Sequence, residues 1–355
     1  MKHKIKQLLA KRPRRKKEPE QSLEQAIQNI PRITNETVAE HREEVLSSAR
    51  KFIYPLQHSA HRVVLISGAI FVVLALVFFS YCILALYRFE SSSTFLYRVT
   101  QVIPFPVAKA GSHFVAYENY LFELRHYIHY YQTQQKVDFN GESGKRQLET
   151  FRKVALQSVV NDTYVKELAK KHSISVSDKE LKDQVELLRS QNRLGSSDDV
   201  FEDVLKEFWG WSVSDFERKV KQQMLAQKVV SALDTATHER ARGVLAQVHG
   251  GGDFVALAKQ FSDDATTKDS GGDYGFPIER SNRDLSPQVI DNLFRLQPGQ
   301  SSGIVETPMG LEILRLREVE GNRVRASHIF FAFKNINDYI DPLKSKEKPQ
   351  LFIHP

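Results

Sequence analysis

Residues 63–87 form an uncharged run of 25 residues, dominated by Val, Leu, Ile, Phe and Ala. At about 1.5 Å per residue such a helix reaches about 37 Å, enough to cross a hydrocarbon core of about 30 Å. A cleaved signal peptide has a shorter apolar stretch, of about 7–15 residues, and a small-residue cleavage site. The run is therefore read as a retained single-pass anchor, and it divides the chain into an N-terminal arm and a large C-terminal part. Cys82 follows Tyr81, where a lipoprotein signal would place a small residue, so lipidation is not expected. Lys and Arg crowd the N-terminal flank, whereas Arg88 and Arg98 are the nearest on the other side. The positive-inside bias then puts the N-terminus in the cytoplasm and the C-terminal part outside, with the protein in the plasma (inner) membrane.

The formal net charge of +7 does not imply nucleic-acid binding. Much of the excess lies in Lys2, Lys4, Lys6, Lys11, Arg12 and residues 14–17, in a proline-containing arm with too little apolar surface to form a core. Residues 1–62 are assigned to this arm and a juxtamembrane helix, for which Val38, Val45, Leu46 and Phe52 recur at helical spacing. The one cysteine excludes an intrachain disulfide framework and a cysteine-based zinc site, and no metal or cofactor is expected.

Residues 88–112, rich in Ser and punctuated by Pro104 and Pro106, are read as a linker, and 113–236 as consecutive helices starting with one from Phe114. Ser177 with Glu180, and Ser214 with Glu217, have capping-box spacing, while Gly195 and Gly210 mark breaks. His126 and His129 could meet one metal, but no third ligand is evident, and packing is the preferred reading for them and for Trp209 and Trp211. Asn35 and Asn161 begin glycosylation-like triplets of a kind that random sequence often produces.

Further on, Gly-Gly-Gly-Asp-Phe-Val-Ala-Leu-Ala, Phe-Ser-Asp-Asp and Gly-Gly-Asp-Tyr-Gly follow one another within residues 250–275. Their order resembles the parvulin family of peptidyl-prolyl isomerases, with its G-x-D-F-x-x-L-A helix, F-S-x-D turn and G-G-x-x-G loop. Upstream, Tyr164-Val-Lys-Glu-Leu-Ala-Lys-Lys, Ile174-Ser-Val-Ser-Asp-Lys-Glu-Leu and Phe208-Trp-Gly-Trp-Ser-Val-Ser-Asp-Phe resemble the helical region of SurA-type periplasmic chaperones and their membrane-anchored relatives. The resemblance implies an α+β chain: a transmembrane helix, an all-helical chaperone domain over 113–236 and a parvulin-like domain over 237–333 with a four-stranded antiparallel sheet; residues 334–355 are left as a C-terminal tail, whose Lys344 to Lys348 stretch reads as solvated.

Carried over position by position, the resemblance puts Asp264 beside the reacting amide and Leu285 and Val289 in the proline pocket, Val289 standing where the family has an aromatic ring. Thr307 matches a family Thr, Met309 joins the substrate-binding residues, and Glu312 replaces the His of a family G-x-H. Parvulins also begin with an A-S-H-I-L strand whose His lies beneath the amide. Here residues 234–248 read as helix, and Ala326-Ser-His-Ile-Phe-Phe follows the last expected strand across Glu320-Gly-Asn-Arg. The family's first and last strands are antiparallel neighbours, so a short turn can join them. The favoured expectation is a circular permutation that brings residues 324–331 and His328 to the site; a truncated second repeat and a strand swapped between two chains remain open.

The implied function is a membrane-anchored, extracytoplasmic prolyl isomerase and folding chaperone. Its partners would be unfolded or nascent exported polypeptides with X-Pro bonds, membrane lipid through one helix, and no nucleic acid. The alternative is a holdase that binds Pro-containing segments without isomerising them, favoured by Val289 and Glu312. A membrane scaffold recruiting a cytoplasmic partner is a third class.

Overall fold

The structure is a computed structural model that describes residues 33–53, 56–192, 194 and 197–354. The basic arm before residue 33 and the break expected at Gly195 lie outside the described residues. The chain divides into two units, one ending at Phe79 and one running from Ser80 to Pro355.

The first unit contains α1 (Asn35–Ile53), the expected amphipathic helix, and most of α2 (Leu56–Ile83). Within α2 the segment from residue 63 is apolar and largely exposed, and residues 63–88 are long and apolar enough to cross a membrane. The end of this run has another role. Cys82, Ala85 and Leu86 are buried in the second unit, and the Leu86 carbonyl accepts a hydrogen bond from Tyr117 Oη at 2.6 Å. That leaves residues 63–81 as the largely exposed apolar segment, about 28 Å of helix, close to the thickness of a hydrocarbon core of about 30 Å.

The presumed linker is structured. Ser93 caps α3 (Thr94–Val102), accepting from Leu96 N, and the chain then forms β1 (Pro106–Ala110) and β2 (His113–Ala116) around Gly111, whose φ is +56°. The first helix of the bundle, α4 (Tyr117–Thr133), thus begins after a strand and not at Phe114. It packs on α5 (Glu142–Lys171), where Phe151, Ala155 and Val159 form a buried helical stripe. Next come α6 (Asp178–Asn192), α7 (Asp198–Trp209) and α8 (Val213–Leu233).

Ser177 and Glu180 bond reciprocally, as their spacing predicts. For α8 the cap is Ser212 with Asp215, not Ser214 with Glu217, because Ser212 is the residue that remains extended just before the helix. Gly210 ends α7 in the left-handed conformation. His126 and Trp211 stack at 4.4 Å, and Trp211 also stacks on Phe122.

The C-terminal segment is likewise no free tail. It forms α12 (Asn337–Lys346) and β7 (Gln350–Leu351), which adds to β1 and gives the helical region a small sheet of order β2-β1-β7. Ile340 and Ile353 are buried, and Tyr164 Oη donates to the Glu347 carbonyl at 2.6 Å. Lys344 is mostly covered and pairs with Asp341, against the expectation of a solvated cation.

Between bundle and C-terminal segment lie α9 (Thr235–His249), α10 (Phe254–Phe261), β3 (Ile278–Glu279), α11 (Pro287–Leu293), β4 (Ser301–Thr307), β5 (Gly310–Glu320) and β6 (Arg323–Ala332). The sheet is four-stranded and antiparallel, in the order β3-β6-β5-β4. One face packs Leu311, Ile313, Ile329 and Phe331 against Val244, Phe254 and Leu257 of α9 and α10. The other packs Leu314, Leu316, Val324 and Ala326 against Val289, Ile290 and Leu293 of α11. Each fully buried side chain of this kind stabilises by about 1.5–3 kcal/mol. Buried Asp234 fastens the two ends of this region: it caps α9 through Thr237 and accepts from Lys334 N at 2.9 Å.

Candidate active site

Strand β6 lies inside the sheet, paired with β5 on one side and with β3 on the other. Gly321, at φ +63°, turns the β5–β6 hairpin. The Ala-Ser-His-Ile segment therefore occupies a central position, although it follows every other strand of that sheet.

Two loops dock on β6 and bring their side chains to His328. After α10 the chain runs alongside the strand: Asp263 N donates to Phe330 O at 2.7 Å, and Ser262 Oγ accepts from Phe330 N at 3.2 Å. This fixes Asp264 at the edge of the imidazole. The glycine loop follows, with Gly272 O accepting from His328 N at 2.8 Å and Tyr274 N donating to Ala326 O at 3.2 Å. Gly272 has φ +81°, and a Cβ there would stand 2.0 Å from the His328 carbonyl oxygen, so glycine is required for this close approach.

The resulting cluster centres on His328, which is 6% exposed. Its Nε2 lies 3.0 Å from Asp264 Oδ2 and 2.9 Å from Thr267 Oγ1; its Nδ1 lies 2.8 Å from Glu312 Oε2. Tyr274 Oη donates to the same Glu312 oxygen at 2.9 Å, and the tyrosine ring sits 4.4 Å from the imidazole. Thr266 and Thr267 both donate hydroxyl bonds of 2.7 Å to Asp264, and Thr266 N adds a third at 3.0 Å. Burial alone would raise the Asp264 carboxyl, but these donors and His328 outweigh it and hold the pKa at about 2. Burial first, and then the Glu312 carboxylate, push the Tyr274 phenol well above its ordinary range. Asp264 is the half-exposed member, whereas Glu312, Thr267 and His328 are buried.

Of the residues singled out in the sequence, Asp264, Glu312 and His328 are thus brought into one hydrogen-bonded group. The others stand apart from it. Thr307 bonds the Gly310 carbonyl at 3.0 Å, and Met309 projects into solvent from the β4–β5 turn. Val289 is 1% exposed and belongs to the core beneath the sheet, with Leu285 half-buried against it. The exposed and half-buried aromatic groups near the cluster are instead Phe276, 6.2 Å from Tyr274, and Phe330, 6.4 Å from His328.

Sequence reasoning missed Thr267 and Tyr274. Both lie in the matched motifs, Thr267 three residues after Asp264 and Tyr274 in the Gly-Gly-x-x-Gly loop. Their positions gave a signal, but only the docking of these loops on β6 shows that the two side chains turn inward.

Comparison with known proteins defines the class in two parts. Residues 57–230 match the SurA-like N-terminal domain, and residues 223–318 match the PPIC-type PPIASE domain. The chain thus joins a SurA-like N-terminal region to a parvulin-type isomerase domain.

Among relatives, it is 32% identical over 94 residues to the periplasmic chaperone PpiD of Escherichia coli K12, covering 26% of this chain and 14% of that protein. It is 28% identical over 182 residues to the foldase protein PrsA of Caldanaerobacter subterraneus subsp. tengcongensis, covering 48% and 58%. Chaperone SurA of Albidiferax ferrireducens is 34% identical over 108 residues, covering 28% and 23%. The chain therefore spans less than two thirds of the length of each of these relatives.

Proposed function

We propose that this protein is a membrane-anchored prolyl isomerase and folding chaperone that acts outside the cytoplasm on unfolded exported polypeptides with X-Pro bonds. The observation that carries the reading is the cluster of His328, Asp264 and Glu312, in which two loops of the region matching the isomerase family dock on the strand that bears the histidine. Support for a permuted domain comes from two facts together: the match to the isomerase family ends at residue 318, and the strand bearing His328 begins at Arg323 and lies inside the sheet. The one helix among the described residues that is long and apolar enough to cross a membrane, together with the likeness to PpiD, supports anchoring, and the charge asymmetry supports a cytoplasmic N-terminus.

Prolyl isomerisation breaks no bond, but it must overcome a resonance barrier of about 18–20 kcal/mol. A catalyst must bind the twisted amide better than either planar form. In the planar amide the carbonyl oxygen carries more negative charge than in the twisted one. Asp264, ionised down to about pH 2, would disfavour the planar form of an amide seated beside it. His328 fixes that carboxylate, Glu312 and Tyr274 fix the imidazole, and Phe276 and Phe330 supply apolar contact for a proline ring in place of Val289.

The test is isomerisation of X-Pro peptides by the full chain in detergent, beside His328→Ala. The proposal expects a rate well above background, reduced about 100-fold in the variant, as when a group beside the reacting bond is misplaced by about 1 Å. A background rate together with suppressed aggregation of an unfolded client would select the holdase, the reading favoured by the acid at position 312 and the buried Val289.

A further inference from the structure

The stretch between the apolar helix and β1 carries an exposed face that the isomerase does not use. On α3, Phe95, Arg98 and Val102 point outward at i, i+3 and i+7, while Leu96 and Thr100 are buried on the opposite side. Phe95 and Val102 are 53% and 83% exposed, and Phe89, just before α3, is 72% exposed. The Phe95 ring lies 6.4 Å from that of Tyr81, on the final turn of α2, and Leu84, the residue after that helix, is also exposed. Arg88 and Arg98 supply the exposed charge. The sole acid in residues 80–104 is Glu90, which is withdrawn into a salt bridge with Arg152 at 3.2 Å.

This face is tied to the fold behind it. Ser93 caps α3, and Arg125 donates to Ser92 O at 2.6 Å and Thr94 Oγ1 at 3.0 Å while lying over the Tyr97 ring. Its other side is tied into the fold, so the exposure of Phe95 and Val102 does not come from a fraying segment.

We propose that α3, with Arg88 and Phe89, seats in the headgroup region of the bilayer that α2 crosses, its apolar side chains at the acyl boundary and its two guanidiniums on lipid phosphates. Three features select lipid over a protein partner: continuity with the exposed apolar surface of α2 through Tyr81, aromatic and basic side chains without an exposed carboxylate, and a position next to the end of the spanning segment. The inference rests on the membrane-anchored reading.

The test uses the full chain with Cys82→Ala in nanodiscs of phosphatidylcholine and phosphatidylglycerol. Spin labels are placed singly at Val102→Cys, Val73→Cys and, as an aqueous reference on α7, Phe208→Cys. Collisions with oxygen and with a water-soluble nickel chelate give the depth of each label. The proposal expects Val102→Cys to lose nickel accessibility relative to Phe208→Cys and to lie at the headgroup–acyl boundary, with Val73→Cys deeper. A label at 102 as aqueous as that at 208, with 73 still deep, would overturn the interfacial seat and leave the anchor standing. An aqueous label at 73 would overturn both.

Discussion

The two faces of the four-stranded sheet are made by the same strands and have opposite characters. Leu311, Ile313, Ile329 and Phe331 make one face apolar throughout, closed by α9 and α10. On the other, Leu314, Leu316, Val324 and Ala326 are apolar, but the next positions of the same parity are Glu312 and His328. Because side chains alternate along a strand, one face can form a continuous core while the other carries buried charge at one end. The first face depends on volume and close packing. The second depends on every polar atom having a partner, since an unpaired buried charge costs several kcal/mol.

The largest effect is expected on the apolar face. Phe331→Ala removes a fully buried ring between β5 and α10 and should destabilise the domain by about 3–5 kcal/mol in chemical unfolding. A loss below about 1 kcal/mol would show that this face is not the core described.

On the polar face, Gly272→Ala should cost about 2–4 kcal/mol and detach the glycine loop from His328, because its Cβ meets a backbone carbonyl and its φ is +81°. Amide exchange would show His328 N losing protection if the loop separates.

The comparison sharpens with Glu312. Glu312→Ala strands the buried partners Tyr274 Oη and His328 Nδ1 and should cost about 1–3 kcal/mol. Glu312→Leu combined with His328→Phe removes both polar groups and should cost less than the single change while, on the proposed function, still abolishing isomerisation. That outcome would separate the cluster's chemistry from its contribution to stability.

The narrowest effect in its range of conditions is titration of Asp264. Its folded pKa of about 2 lies below the unfolded value of about 3.9. Its contribution to stability is therefore complete above about pH 4 and lost as pH falls towards 2. Asp264→Asn should flatten the acid limb of the stability profile, whereas an unchanged limb would contradict the bonding described.

Much of this was legible because it rests on local rules. The apolar run, the capping box at Ser177, the α-helical spacing of the bundle and the Gly-Asn turn before the Ala-Ser-His-Ile segment are each readable from neighbouring residues. What the sequence left out depends on distant partners. Residues 88–112 look like a linker because Ser and Pro interrupt them, yet Ser93 caps a helix and Pro106 starts a strand. The final residues resemble a polar tail, but Ile340 and Ile353 are buried and β7 pairs with β1, more than 230 residues away in the chain. Val289 looked like a pocket residue from its place in a motif, and its burial follows from how α11 packs on Leu314 and Ala326. No short window shows which face of α11 meets the sheet.

The central claim is that a strand arriving from the C-terminal side completes the sheet and delivers His328 to the site. Hydrogen exchange of the full chain, resolved over residues 310–332, tests it most directly. The account predicts that the amides of residues 324–331 exchange as slowly as those of β5, since β6 is bonded on both sides. Rapid exchange of residues 324–331 while β5 stays protected would contradict it.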